Sequence, residues 1–197
     1  MTALWLIRHG ETEWSRAGRH TGRTDIPLTE QGRMNASAVA PQVAQLDPGL
    51  VLCSPLMRAQ ETARLAGLVA DETTADLLEW DYGAWEGRTT AEIRAELDDP
   101  TWVIWDHPVP PGQTPGEQPA DVGRRVDRVI ARCEPVLANG RDCVLVAHGH
   151  VLRMLTARWL GLPPVDGRLF ALDPARLSSL GFEHEQRVIT SWNAGTS

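Results

Sequence analysis

The chain has 197 residues, 42% of them hydrophobic and 23% charged, with 19 Lys+Arg against 26 Asp+Glu and a formal net charge of −7. That mix belongs to a globular protein rather than a disordered one, and the acidic balance excludes a nucleic-acid binder that works through a general basic surface. All 19 basic residues are arginine, which also excludes a phosphate-loop lysine, a Schiff-base lysine and a lysine general base.

In chain order, Ala3–Ile7 (ALWLI) is a short apolar run ending at Arg8-His9-Gly10, and it predicts a buried parallel strand with polar residues at its tip. Thr29 opens a helix with an apolar face through Ala36, Val39, Ala40, Val43 and Leu46. Leu50–Cys53 (LVLC) is a second buried strand, stopped at Ser54-Pro55. Met57–Leu68 follows as a helix with Ser54 as its cap. Leu77–Gly87 is a mixed stretch of aromatics and acids, Thr90–Leu97 a short helix, and Trp102–Gly116 a Pro/Gly-rich mobile flap or loop. Asp121–Leu137 is a long amphipathic helix, Asp142–Ala147 (DCVLVA) a third buried strand ending at His148-Gly149, and Val151–Leu160 another helix. Arg168–Leu172, Leu177–His184 and Val188–Trp192 are expected to close the sheet as strands.

Strands alternating with helices predict an α/β fold: one domain over residues 1–197, a mostly parallel sheet with helices on both faces, and a flap or insert at about 79–117. No apolar run reaches the length of a membrane span, and the first residues lack the basic start of a signal peptide. Cys53, Cys133 and Cys143 have no ligand-like spacing and read as buried, reduced thiols. A cytoplasmic protein with no membrane or nucleic-acid partner is expected, with a homodimer as the default assembly.

Three strand tips carry polar groups: Arg8-His9, Ser54 leading to Arg58, and His148. Ligands of open α/β sheets bind beyond the carboxyl ends of the strands, so these segments are expected to meet in one pocket. Two guanidiniums near one point call for an anion between them, and the planar fork of arginine matches phosphate. A neutral imidazole can attack phosphorus and form a phosphohistidine that water then hydrolyses. A leaving alkoxide also needs a proton. Glu79, flanked by Leu77, Leu78, Trp80 and Trp85, is the candidate acid, with Asp81 and Glu86 as nearby rivals.

The segments Arg8-His9-Gly10-Glu11, Asp25-Ile26-Pro27-Leu28-Thr29-Glu30-Gln31-Gly32, Ser54-Pro55-Leu56-Met57-Arg58-Ala59-Gln60-Glu61-Thr62-Ala63 and Ala147-His148-Gly149-His150 occur in order along nearly the whole chain. Together they resemble the histidine phosphatase superfamily in its phosphoglycerate mutase-like branch. The details WSRAGRHTG, EWDYGAWEG and the WVIW flap look most like its acid phosphatase and sugar-bisphosphatase members, and Gly116-Glu117 matches a Gly-Glu pair that follows their flap. The resemblance implies that His9 is the phospho-accepting nucleophile. It makes Arg8, Arg58 and His148 a phosphate clamp with the Gly149 N–H as a further donor, and Glu79 the proton donor. Ser15, His20, Thr21, Gly22 and Tyr82 would border the substrate, as would Glu11. Mutases of the branch carry asparagine where this chain has Ser15, and they cover the site with insertions and a tail, whereas here the sequence stops soon after Trp192. Both departures favour hydrolysis, because an open site lets water take the phosphoryl group.

The expected function is therefore a histidine-type acid phosphatase: a metal-independent phosphomonoesterase, without a cofactor, acting on small phosphorylated metabolites. A 2,3-bisphosphoglycerate-dependent phosphoglycerate mutase and an inactive phospholigand-binding module are the alternatives. Other assignments compete with single residues. Arg8 or Arg58 could be ion-paired scaffolding with Glu11 or Glu61. His20 could face solvent. His148 and His150 form an H-x-H with no third metal ligand in view. Trp102 and Trp105 are expected to pack the flap down, and Trp5 and Trp159 to lie in the core. Cys53 and Arg58 have four residues between them rather than the five of a cysteine phosphatase loop, so Cys53 is expected to be structural.

Overall fold

The apolar runs form the middle of a six-stranded sheet in the computed structural model, which describes residues 2–195. In chain order the elements are β1 (Leu4–Arg8), α1 (Glu13–Arg16), α2 (Glu30–Ala38), α3 (Ala40–Val43), β2 (Pro48–Cys53), α4 (Met57–Leu65), β3 (Glu72–Thr73), α5 (Thr90–Leu97), α6 (Pro119–Ala138), β4 (Asp142–Ala147), α7 (Gly149–Trp159), β5 (Leu177–Glu183) and β6 (Gln186–Ala194). Single 3-10 segments lie at Ala75–Leu77, Gly83–Trp85 and Pro164–Leu169. The strand order is β3-β2-β4-β1-β5-β6. The first four strands are parallel, and β5 and β6 are antiparallel.

Successive strand residues feed two apolar clusters. Leu4, Leu6, Leu52, Leu145 and Ala147 join Val122, Val126 and Val129 of α6 and Val151, Leu152 and Leu155 of α7. Ile7, Val51, Cys53, Val144 and Val146 join Val39, Val43, Ala59 and Ala63 on the opposite side. Helices therefore cover both faces, which is why these strands are continuous apolar runs rather than alternating ones. Each fully buried aliphatic side chain contributes about 1.5–3 kcal/mol to this arrangement.

The pairing register positions the strand tips. Arg8 pairs with Ala147 and Cys53 with Val146, so the residues that follow, His9, His148 and Ser54, leave the sheet side by side. The His9 N–H donates to the Ala147 carbonyl (2.8 Å) and the Ser54 N–H to that of Val146 (2.9 Å).

Several boundaries differ from the sequence expectation. The helix expected from Thr29 to Leu46 breaks at Val39, because Pro41 has no N–H for the ladder and its ring would clash with the preceding turn. The helix expected to reach Leu68 stops at Leu65. Gly67 takes a φ of +79° and the Leu68 N–H returns to the Ala63 carbonyl (2.9 Å), a glycine-terminated C-cap. Ser54 does not cap that helix by its side chain; the Asp25 carboxylate accepts the Met57 N–H instead (3.0 Å). Arg168–Leu172 is not a strand. Its first residues belong to the 3-10 segment, where Gly167 packs so closely on Arg153 and Met154 that a Cβ would meet their backbone at 2.9 Å. Trp159 is buried as expected, whereas Trp5 is only half-buried. The flap has no regular element between α5 and α6, and its own Trp102, Ile104 and Val109 are buried.

Gly10 and Gly32 let the loop after β1 touch the start of α2. A Cβ on Gly32 would stand 2.2 Å from the Glu11 carbonyl oxygen, and one on Gly10 would stand 2.5 Å from that of Gly32. Both obstacles are backbone, so neither side yields cheaply. Gly32→Ala is expected to cost about 1–3 kcal/mol, read as a fall in the urea midpoint. A wild-type midpoint would show that the two loops separate freely.

Candidate active site

His9 leaves the tip of β1 with its side chain buried. Its Nδ1 lies 2.7 Å from the Gly10 carbonyl, an acceptor only, so Nδ1 carries the proton and the Nε2 lone pair is left to react. Burial is the main cause that pushes the His9 pKa well below its ordinary value, and the Arg58 and Arg8 guanidiniums add to it. The ring is therefore neutral over a wide range of pH. Gly10 is itself held, because its N–H donates to the Thr62 hydroxyl (3.0 Å).

The His148 ring stands edge-on to His9, with centroids 5.1 Å apart. Arg58 Nε donates to His148 Nδ1 (3.1 Å), which fixes the proton of the neutral ring on Nε2, 2.7 Å from the Ser54 hydroxyl. Burial, then Arg58, holds this imidazole well below its usual pKa. Arg58 is fully buried. Its terminal nitrogens donate to the carbonyls of Thr24 (2.8 Å), Gly22 (2.9 Å) and Thr21 (3.2 Å). Its nearest carboxylate is Asp25 at 3.9 Å.

Arg8 Nη1 donates to the Leu172 carbonyl, and Arg8 Nε is buried with no hydrogen-bond partner. The guanidinium rests against Gly149, where a Cβ would stand 3.3 Å from its Nε and Cζ. Glu11 and Glu61 are committed elsewhere, to Arg16 Nε (3.0 Å) and Arg33 Nε (2.8 Å), so neither neutralises Arg8 or Arg58. A buried cationic donor without an acceptor marks a place for an anion.

Glu79 reaches the N-terminus of α7. Its carboxylate accepts the N–H groups of His150 (3.0 Å), Val151 (2.8 Å) and Trp80 (2.9 Å). The immediate neighbours of the carboxyl are thus backbone donors rather than the apolar side chains read from the sequence. Arg8, His9, Ser15, His20, Thr21, Glu79, Tyr82, Gly149, His150 and Arg153 line one cavity of about 220 Å³.

A model of the histidine phosphatase superfamily (branch 1) matches residues 4–195. The chain belongs to the histidine phosphatase superfamily. An acid phosphatase of Mycobacterium tuberculosis is 42% identical over 188 residues, covering 94% of this chain and 89% of that one. A sedoheptulose 1,7-bisphosphatase of Saccharomyces cerevisiae is 35% identical over 185 residues, covering 80% and 67%. The solved structure of an open reading frame from Mycobacterium tuberculosis superposes with a TM-score of 0.91 at 40% identity, covering 100% of this chain and 99% of the other.

In this histidine phosphatase the remaining residues singled out from the sequence fall into two groups. His20 is buried against Tyr82 (centroids 5.0 Å apart), and burial lowers its pKa to about 4. Ser15 lines the cavity, but its hydroxyl is shared with Thr12 in the capping box of α1. Gly22 lies in the strap behind Arg58: its carbonyl accepts from Arg58 and its N–H donates to the Glu86 carboxylate (2.9 Å). Glu86, weighed as a rival acid, also accepts the Thr24 N–H (3.0 Å) and so tethers the strap. Asp81 accepts the Gly83 N–H (2.9 Å). Cys53 is buried, and its thiol is pushed up to about 12.

Sequence reasoning missed Arg153 on the cavity wall and the strap tethered by Glu86. It also missed the contact between Tyr82 and His150 Nδ1, and Arg125, which bonds the chain around Glu79. Among the described residues no helix is long and apolar enough to cross a membrane.

Proposed function

We propose that the protein is a phosphomonoesterase that hydrolyses small phosphorylated metabolites through a phosphohistidine on His9. The observation that carries this reading is the buried, partnerless Arg8 Nε beside a neutral imidazole whose Nδ1 proton is committed to Gly10. Nε2 attacks phosphorus, an N–P bond forms, and the ester P–O bond breaks with its electron pair on the leaving oxygen. Glu79 gives that oxygen a proton. In the second half, Glu79 takes a proton from water while the water oxygen attacks phosphorus. The N–P bond breaks, its pair returns to Nε2, and inorganic phosphate leaves. Arg8 and the Gly149 N–H hold the equatorial oxygens, while Arg58, spent on the 21–24 strap, orients His148 edge-on to the nucleophile. Cationic side chains take the charge-neutralising role that a metal ion plays elsewhere, and three buried thiols favour a reducing, cytoplasmic setting.

A bisphosphoglycerate-dependent mutase shares the first half-reaction and differs only in what accepts the phosphoryl group. The test is phosphate release from a panel of metabolite esters, in excess chelator, with and without 2,3-bisphosphoglycerate. The expected result is release that chelation does not remove and the primer does not require. Isomerisation of 3-phosphoglycerate outpacing phosphate release, in the primed sample only, would establish the mutase instead.

A further inference from the structure

We infer that the ion pair of buried Arg125 with Glu117 is the positioning device that aims the Glu79 carboxyl at the leaving oxygen. This rests on the role proposed for Glu79. Arg125 stands on the apolar stripe of α6, between Val122, Val126 and Val129, and is buried with them. A charge on such a stripe is costly unless every donor is used.

The donors converge on the chain that carries Glu79. Arg125 Nη1 donates to the carbonyls of Asp76 (2.8 Å) and Leu78 (2.6 Å), and Nη2 to the carbonyl of Glu79 itself (3.1 Å). The remaining donors meet Glu117 in a fork, Nε to Oε1 (2.9 Å) and Nη2 to Oε2 (3.0 Å). Glu117 extends the grip on the other side. Its Oε2 accepts the Asp81 N–H (3.0 Å), its carbonyl accepts the Trp80 indole N–H (2.7 Å), and its own N–H donates to the Asp81 carbonyl (2.9 Å). Residues 76–81 are therefore pinned by Arg125 of α6 and by Glu117 just ahead of it, while the Glu79 carboxylate is pinned to the first turn of α7. The acid is clamped between two helices, and Arg125 touches its backbone without lining the cavity. Lysine has no fork and cannot reproduce these bonds.

The test compares kcat/KM, which reports the first half-reaction, for an alkyl phosphate and for p-nitrophenyl phosphate, whose phenolate leaves without a proton. Glu79→Gln is expected to lose about 10²–10⁴-fold on the alkyl ester and far less on the aryl ester. Arg125→Lys is expected to lose about 10–100-fold on the alkyl ester, yet to stay within about threefold on the aryl ester, because the acid is displaced while the nucleophile is not. Combined with Glu79→Gln it adds nothing further. If Arg125→Lys does not melt cooperatively, Glu117→Gln is judged by the same ratio. Equal losses on both esters, or no loss on either in a folded variant, overturn the inference and leave the role of Glu79 intact. A Glu79→Gln enzyme that fails to distinguish the two esters overturns the reading of Glu79 itself, and this inference with it.

Discussion

His9→Ala is expected to lower phosphate release by roughly 10⁴–10⁶-fold, the scale on which enzymes lose turnover when the attacking group is removed. No neighbour can replace it. Both nitrogens of His148 are engaged, one accepting from Arg58 and the other directed at Ser54. His150 is turned to Tyr82, and the Cys53 thiol is pushed up to about 12, which leaves no thiolate at neutral pH. The fold tolerates the change better than the chemistry does. The variant loses one hydrogen bond, to Gly10, and leaves a small cavity, together about 1–3 kcal/mol. The variant should therefore melt cooperatively and still bind inorganic phosphate through Arg8. It should fail to form the acid-labile phosphoenzyme that rapid alkaline quenching is expected to trap from the wild type. Turnover within about tenfold of wild type would move the nucleophile to another residue.

What the sequence made legible follows from where the energy is concentrated. ALWLI, LVLC and DCVLVA read correctly because parallel strands covered on both faces leave few alternatives to an unbroken apolar run. With those strands placed, the parallel register brings His9 and His148 together without further information. The first turn of α2 was equally plain: Thr29 accepts the Gly32 N–H as its cap (2.9 Å). What stayed hidden depends on pairs far apart in sequence. The strap at residues 21–24 is strung between Arg58, which takes its carbonyls, and Glu86, which takes its N–H groups. Neither partner announces the other at separations of more than thirty residues. Arg168–Leu172 misled because its apolar residues serve through their carbonyls: Leu172 accepts from Arg8 and Ala171 from the Trp192 indole. Arg125 was visible as a lone arginine on the apolar stripe of α6 three residues after Val122, a local inconsistency of the kind that marks a functional or strained position.

Acidification is expected to weaken the fold steeply while leaving the surviving native molecules competent. Four imidazoles, those of His9, His20, His148 and His150, are held below their ordinary pKa, and burial is the largest cause in each. Arg58 and Arg8 add to it at His9, Arg58 and His9 at His148, and Arg153 at His150. In the unfolded chain the same rings take up a proton near pH 6.5. Between that pH and the depressed native values the unfolded state binds more protons, so stability rises with pH and is lost as pH falls. Four rings acting together give a slope of up to about 5 kcal/mol per pH unit, against a total stability of about 5–15 kcal/mol. His20 stops contributing below its native value of about 4. The measurement is the urea midpoint at steps from pH 7.5 to pH 4.5, with and without inorganic phosphate. Phosphate bound to the native state alone should raise every midpoint by mass action. Above the unfolding threshold, kcat/KM should show no histidine titration near pH 6.5, because His9 already carries its reactive lone pair. Midpoints that stay level from pH 6.5 to pH 5 would mean that the native rings accept protons as readily as the unfolded ones. The neutral nucleophile on which the mechanism depends would then have to be protected by bound substrate rather than by the fold.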